Sequence, residues 1–200
     1  MSRWLCILAI AVGLAACSES PTAPTRIESE LSFLSLKIGV PALANPSVSF
    51  WAGYDRTNQA RIVYHALPGL TDSVTLVDFT IPSQSLYQRP DGSRLGPGDS
   101  VQVKITVVDP LRMIVRFEPS GLLFSPTKPA RLRLALGTAD LDLNADGRVD
   151  ELDAALKAQL HIWRQERAGD PWTRLPSTVD LTRAEVAADI PGFTNYAVAY

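Results

Sequence analysis

The stretch from Asp142 to Asp153, DLNADGRVDELD, puts side-chain oxygens at near-alternate positions. Asp142, Asn144, Asp146, Asp150 and Asp153 carry them, and Gly147 interrupts the run. Carboxylate and amide oxygens are hard donors. With no His or Cys among them, the set suits Ca²⁺ rather than Zn²⁺ or iron. Asp142, Asp146 and Asp153 in one compact turn repel one another unless a cation or open solvent offsets the charge. A polar, Asp-rich turn without an ion is the alternative reading.

The spacing resembles an EF-hand loop, and more closely the calcium loops of dockerins. The resemblance implies a set of roles. Asp142 takes the first position, Asn144 the third and Asp146 the fifth. Gly147 takes the sixth, where a sharp turn penalises a Cβ. Arg148 takes the seventh, where only the backbone carbonyl coordinates. Val149, at the eighth, is expected to point into the core. Asp150 takes the ninth, often a water-mediated ligand, and Asp153 the twelfth. The usual twelfth residue is glutamate. An aspartate is one methylene shorter, which implies weaker affinity, although dockerin-type loops often carry it. A single loop with a Kd on the order of 10⁻⁴ M would still fill outside a cell, so the ion is expected to be a structural staple. The following DELDAALKAQL reads as a helix with Leu152, Ala155, Leu156 and Leu160 on one stripe.

Other chemistry is sparse. His65 and His161 are far apart and are expected on strands, as packed or half-exposed imidazoles. There is no Gly-x-Ser-x-Gly, no His-Glu-x-x-His and no P-loop, so no catalytic constellation can be assembled. Trp51, Trp163 and Trp172, with Tyr54 and Tyr64, either fill a core or line a sugar-binding face.

The segments around the loop read as strands. SVQVKITVVD alternates Val101, Val103, Ile105 and Val107 with polar residues, which marks a strand with one wet face. LRMIVRFEP repeats the pattern with Met113, Val115 and Phe117. ARLRLALG does so with Leu132, Leu134 and Leu136, opposite Arg131 and Arg133 on a solvated face. SVSFWAGY and ARIVYHAL, on either side of DRTNQ, suggest a hairpin. DSVTLVDFTI alternates at Val74, Leu76 and Phe79, and HIWRQE, PWTRLP and TNYAVAY complete the series. ELSFLSLKIGV is either a first strand or a short packed segment. Many short strands with polar-out alternation imply a mainly β chain. The expected fold is an antiparallel β-sandwich with one short helix after the inserted acidic loop.

FEPSGLLFSPTKPARLRLAL, and the ending with Gly192-Phe193-Thr194 before Tyr196–Tyr200, resemble a β-sandwich of ankyrins, netrin receptors and zonula-occludens proteins. That fold has bacterial relatives, often lipoproteins. The likeness covers roughly residues 74–200 and rests on apolar and turn positions. It implies a fold and a protein-interaction role, with no active site to carry over.

The chain opens with Arg3, an apolar run from Trp4 to Val12, and then Leu14-Ala15-Ala16-Cys17. This describes an export signal, too short to span a bilayer. One reading is an ordinary signal peptide cut near Ala16. The other follows from LAAC, which resembles the lipobox of bacterial lipoproteins and implies acylation of Cys17 and membrane anchoring. Ser18, in place of the aspartate that retains such proteins in the inner membrane, points to the outer membrane. Cys6 falls in the removed part, so a lipidated Cys17 leaves no disulfide. The layout is then a signal over 1–16, a lipidated N-terminus and flexible tether over 17–30, and a sandwich over 31–200 with the calcium loop and helix at 140–160. Lys and Arg number 19 against 21 Asp and Glu, a net charge of −2. That balance gives no basic footprint for nucleic acid. Two functions survive: a surface-tethered structural or protein-interaction module with a stabilising calcium, or a carbohydrate-binding lipoprotein for polymer capture. Neither is an enzyme.

Overall fold

The computed structural model describes residues 23–66 and 74–200. The strands are β1 (Thr25–Arg26), β2 (Ser47–Gly53), β3 (Asn58–Val63), β4 (Thr75–Ile81), β5 (Leu86–Gln88), β6 (Ser100–Asp109) and β7 (Ile114–Glu118). They continue as β8 (Leu123–Phe124), β9 (Ala130–Ala135), β10 (His161–Gln165), β11 (Trp172–Arg174), β12 (Ser177–Asp180), β13 (Glu185–Ile190) and β14 (Asn195–Ala199). One helix, α1 (Glu151–Lys157), lies between β9 and β10. A seven-stranded sheet runs β1-β11-β10-β14-β7-β6-β2 and a five-stranded sheet β12-β13-β9-β4-β3. All pairings are antiparallel, and β5 pairs with β8 alone. This is the expected mainly β, sandwich-like architecture with one helix after the acidic loop.

Alternation decides which residues fill the space between the sheets. Val101, Val103, Ile105 and Val107 of β6 are buried while Gln102 and Lys104 are exposed. Leu132 and Leu134 of β9 are buried while Arg131 and Arg133 pair with acids on the outer face. An aromatic group sits at the centre. Phe79 meets Phe117 edge-on at 4.9 Å, and Phe193 lies 5.2 to 5.7 Å from Phe79, Phe117 and Phe124. Such pairings contribute beyond area burial.

The chain returns to this centre through Gly192, which explains the Gly192-Phe193-Thr194 turn. A Cβ on Gly192 would stand 2.6 Å from the Leu122 carbonyl oxygen. Only glycine lets the two backbones close, with Phe193 N–H donating to that same oxygen at 2.8 Å. The Thr194 hydroxyl donates to the Gln165 carbonyl, and the buried Tyr196 hydroxyl to the Gly192 carbonyl at 2.5 Å.

Three expectations are corrected and one open alternative is resolved. β2 and β3 are not a hairpin: β2 pairs with β6 and β3 with β4, so the 54–57 turn carries the chain from one sheet to the other. Both strands turn apolar residues to the same core, Phe50 and Ala52 from β2, Ala60 and Ile62 from β3. In β4 the inward phase is Val77, Phe79 and Ile81, with Leu76 also buried and Val74 exposed; the register shifts at Ile62/Val63 in the partner strand. The 31–38 segment is a short packed segment. Its Leu34 N–H donates to the Val198 carbonyl, and Ser32 and Tyr200 exchange backbone bonds, along the β14 edge beyond its pairing with β7. The fold also begins inside the expected tether, because Thr25 and Arg26 pair with β11. The signal and Cys17 lie outside the described residues.

Trp163 and Trp172 do not enter the main core. With Leu31, Ile114, Ala197 and Ala199 they form a second apolar cluster, against which Phe33 packs. Ala197 and Ala199 alternate along β14 with Tyr196 and Val198 of the main core, so this cluster occupies the other face of the seven-stranded sheet. Trp163 Nε1–H donates to the Ala199 carbonyl at 3.1 Å.

Candidate functional site

The acidic loop sits between β9 and α1, as its sequence position implied, and is fastened to the sandwich at both ends. Asp140 N–H donates to the Ser35 carbonyl at 2.8 Å, and Ala139 bridges to Leu36. Leu141 and Leu143 pack against the main core, and the Tyr200 hydroxyl donates to the Leu143 carbonyl. On the far side Leu160 is buried just before β10.

Inside the loop, side-chain oxygens hold backbone N–H groups. The Asp142 carboxylate accepts from Asp146 N–H at 3.1 Å and Gly147 N–H at 2.8 Å. Asn144 Oδ1 accepts from Asp146 N–H at 3.1 Å, and its Nδ2 donates to Asp146 Oδ2 at 3.0 Å. Asp146 Oδ1 accepts from Arg148 N–H at 2.9 Å. Gly147 has φ +87°, the conformation for which a glycine was expected there. Asp150 caps α1, its Oδ1 accepting from Leu152 N–H at 2.8 Å.

Asp153 behaves differently from the rest. It is wholly buried, while Asp142 is half-buried and Asn144, Asp146 and Asp150 are exposed. Its Oδ1 accepts from Leu143 N–H at 2.7 Å and Asn144 N–H at 3.2 Å, and its Oδ2 from Asp150 N–H at 2.8 Å. The Asp150 N–H, helped by those of Asn144 and Leu143 and by the Lys157 charge, holds this carboxyl below the usual aspartate range against the opposing effect of burial. The twelfth position is thereby drawn back to the second, third and ninth.

That arrangement overturns two expectations. Val149 is 60% exposed and does not enter the core, and Leu152 is 63% exposed, off the buried side of the helix. Within α1 the buried residue is Asp153, with Leu156 and Lys157 half-buried and Ala155 exposed. The inward position of this seven-residue helix goes to the carboxylate that three backbone donors require, which leaves Leu152 and Ala155 of the expected stripe exposed while Leu156 is half-buried and Leu160 buried.

The donor chemistry fits a hard cation: carboxylates, one amide oxygen and a carbonyl, with no nitrogen or sulfur ligand. Each Asp142 oxygen accepts one N–H and keeps a lone pair free. The carboxylates are held by backbone donors rather than gathered on a common point. Among the described residues, no three His, Cys, Asp or Glu side chains are close enough to hold a metal ion as placed.

The remaining candidates separate clearly. His161 lies on β10 with burial, and secondarily Arg174, pushing its imidazole below the ordinary value. His65 is exposed beyond the end of β3. Tyr64, Trp163 and Trp172 are buried, Tyr54 is half-buried, and Trp51 is 59% exposed. Sequence reasoning missed Asn58, which is buried at the sheet-crossing turn. Its Oδ1 accepts from Gly53 N–H and Arg56 Nε–H, and its Nδ2 donates to the Gly53 and Arg56 carbonyls. The only available signal was an asparagine in a turn-rich run. A scan against protein-family models, a search of curated proteins and a search of solved structures each returned no match for this chain.

Proposed function

We propose that the chain is an exported, non-enzymatic binding module, anchored by a lipid on Cys17 and pinned by one structural Ca²⁺ in the 142–153 loop. Asp142, Asn144, Asp146, Asp153 and the Arg148 carbonyl would hold the ion, with Asp150 acting through water. The ion supplies positive charge that offsets three aspartates in one turn. Ca²⁺ accepts six to eight oxygens in adaptable geometry, and each Asp142 oxygen keeps a lone pair for it.

The observation that carries this reading is the buried Asp153 carboxylate drawn back onto the loop's first residues. It brings the two ends of the acidic run together without any contribution from an ion. The loop joins β9 to β10, and it is tied to β14 through Tyr200, so fixing it fixes one end of the sandwich. The apolar signal and Cys17 support anchoring, with Ser18 favouring the outer membrane.

Isothermal titration of the chelator-stripped chain with calcium chloride tests the proposal. One site per chain is expected, with a Kd on the order of 10⁻⁴ M. A flat titration rejects the ion.

A further inference from the structure

We propose that Trp51 and the polar strip beside it bind an uncharged polysaccharide chain, an assignment that takes from the reading above only that the chain is an exported, non-enzymatic binding module. Among the described residues Trp51 is the exposed tryptophan, 59% open, while Trp163 and Trp172 are buried. It lies on β2, an edge strand of the seven-stranded sheet. Register places it beside Gln102 of β6, Ser49 beside Lys104, and Lys104 beside Glu118 of β7. Strand alternation puts these residues on one face, opposite Phe50, Val103 and Phe117.

Two shallow depressions flank the ring. One is lined by Trp51, Tyr54, Asp55, Arg56 and Asp99, the other by Ser49, Gln102, Lys104, Glu118 and Pro119. The ground beneath the ring is held in place. Arg56 Nη2–H donates to the Trp51 carbonyl at 2.9 Å, Asn58 makes its four hydrogen bonds to the same turn, and Asp55 accepts from Gly98 N–H at 2.7 Å. A pre-organised surface loses little freedom when a ligand arrives.

The chemistry of the strip selects the occupant. Lys104 faces Glu118, Arg56 lies beside Asp55, and Arg89 pairs with Asp99. There is no excess of either sign to attract a polyanion or a polycation. One indole among amide, hydroxyl and charged groups also lacks the clustered apolar anchors of a protein hot spot. A sugar ring matches both features. Its C–H face covers the indole, and its hydroxyls reach donors and acceptors on Ser49, Gln102, Lys104 and Glu118. A run of sugars can cross from one depression to the other.

Affinity electrophoresis tests this on the full chain, solubilised in a polyoxyethylene detergent because a glycosidic one would compete. Hydroxyethylcellulose, mixed-linkage β-glucan, xylan, galactomannan and dextran serve as probes. The wild type should be retarded by at least one, with a blue shift of its tryptophan emission. Trp51→Ala should weaken that affinity about tenfold or more, Trp51→Phe should keep most of it, and Gln102→Ala should weaken it less. Retardation should survive chelation of calcium, since the strip shares no residue with the acidic loop. A flat calcium titration would therefore sink the ion and leave this assignment standing. Absence of retardation by every probe overturns the proposal, as does retardation unchanged in Trp51→Ala. Sedimentation of the wild type as a dimer that Trp51→Ala dissociates overturns it too, because the ring would then be a self-contact.

Discussion

The carboxylate of Asp153 accepts the backbone N–H of Leu143 at 2.7 Å, closing the acidic loop from its twelfth residue to its second. The same carboxylate serves Asn144 and Asp150. Asp153→Ala leaves three N–H groups to find other acceptors, and buried donors without partners are costly whether or not an ion is present. Asp142→Asn removes a charge and keeps one oxygen, which can serve Gly147 N–H while Asp146 N–H retains Asn144 Oδ1. Asp153→Ala should therefore melt lower than wild type both in excess calcium and in chelator. Asp142→Asn should lose mainly the increment that calcium adds. Thermal scans in the two buffers check this, and a wild-type melting point for Asp153→Ala in chelator would contradict it.

Gly192 offers a test of the fold itself. A Cβ there meets the Leu122 carbonyl oxygen at 2.6 Å and Leu123 Cδ2 at 2.9 Å. A leucine side chain can move, but a backbone oxygen already bonded to Phe193 N–H moves only with its strand. Overpacking of this kind costs about 2 kcal/mol. Gly192→Ala should shift the urea midpoint accordingly and lower the melting temperature by roughly 5 °C. A shift within error would mean that the turn relaxes freely.

The strands with one wet face were legible because burial imposes the period of two. In β6, β7 and β9 the apolar residues named from the sequence are the ones that fill the core. Pairing partners were not legible. β2 and β3 flank a turn-like run, and no local signal says that they enter different sheets. The second apolar cluster was hidden for a related reason. Ile114, Ala197 and Ala199 sit on what alternation marks as the outer face, and residues distant in sequence, Leu31, Phe33, Trp163 and Trp172, make that face apolar. The role of the loop's glycine was readable from spacing, whereas spacing marked Asp150 as a ninth-position ligand and gave no sign of its cap on α1. The exposure of Val149 and Leu152 was not readable either, because it follows from hydrogen bonds that pull a carboxylate inward.

Cys17 lies outside the described residues, but the first sheet pairing fixes what anchoring would mean. Thr25 is eight residues beyond Cys17. A fully extended chain covers at most about 3.5 Å per residue, roughly 28 Å in all. An acylated Cys17 would hold the sandwich close to the bilayer surface. The wild-type chain should partition into the detergent-rich phase on cloud-point separation, and Cys17→Ala should move to the aqueous phase or remain unprocessed. Identical partitioning of the two forms would refute the anchor.

His161 gives the pH dependence. Its Nδ1 is buried and finds no hydrogen-bond partner among the described residues. Burial first, and the Arg174 charge second, hold the imidazole below its ordinary value of about 6.5. Above about pH 6.5 it is therefore held in the neutral form in the folded protein. As pH falls through about 6.5, the unfolded chain takes up a proton that the folded chain refuses. Stability is greatest above that value and declines until the pH reaches the lower folded-state value. Carboxylates act in a lower window. Burial pushes the Asp109 carboxyl up, but the side chain and N–H of Arg112, with the N–H of Leu111, hold it below its ordinary range. Its contribution is present above about 3.9 and is lost only below it. The interval from about pH 7.5 to 5.5 thus isolates the imidazole. Wild-type melting temperature should fall across that interval, and His161→Gln should flatten the curve. An equal fall in the variant would assign the proton uptake to another group.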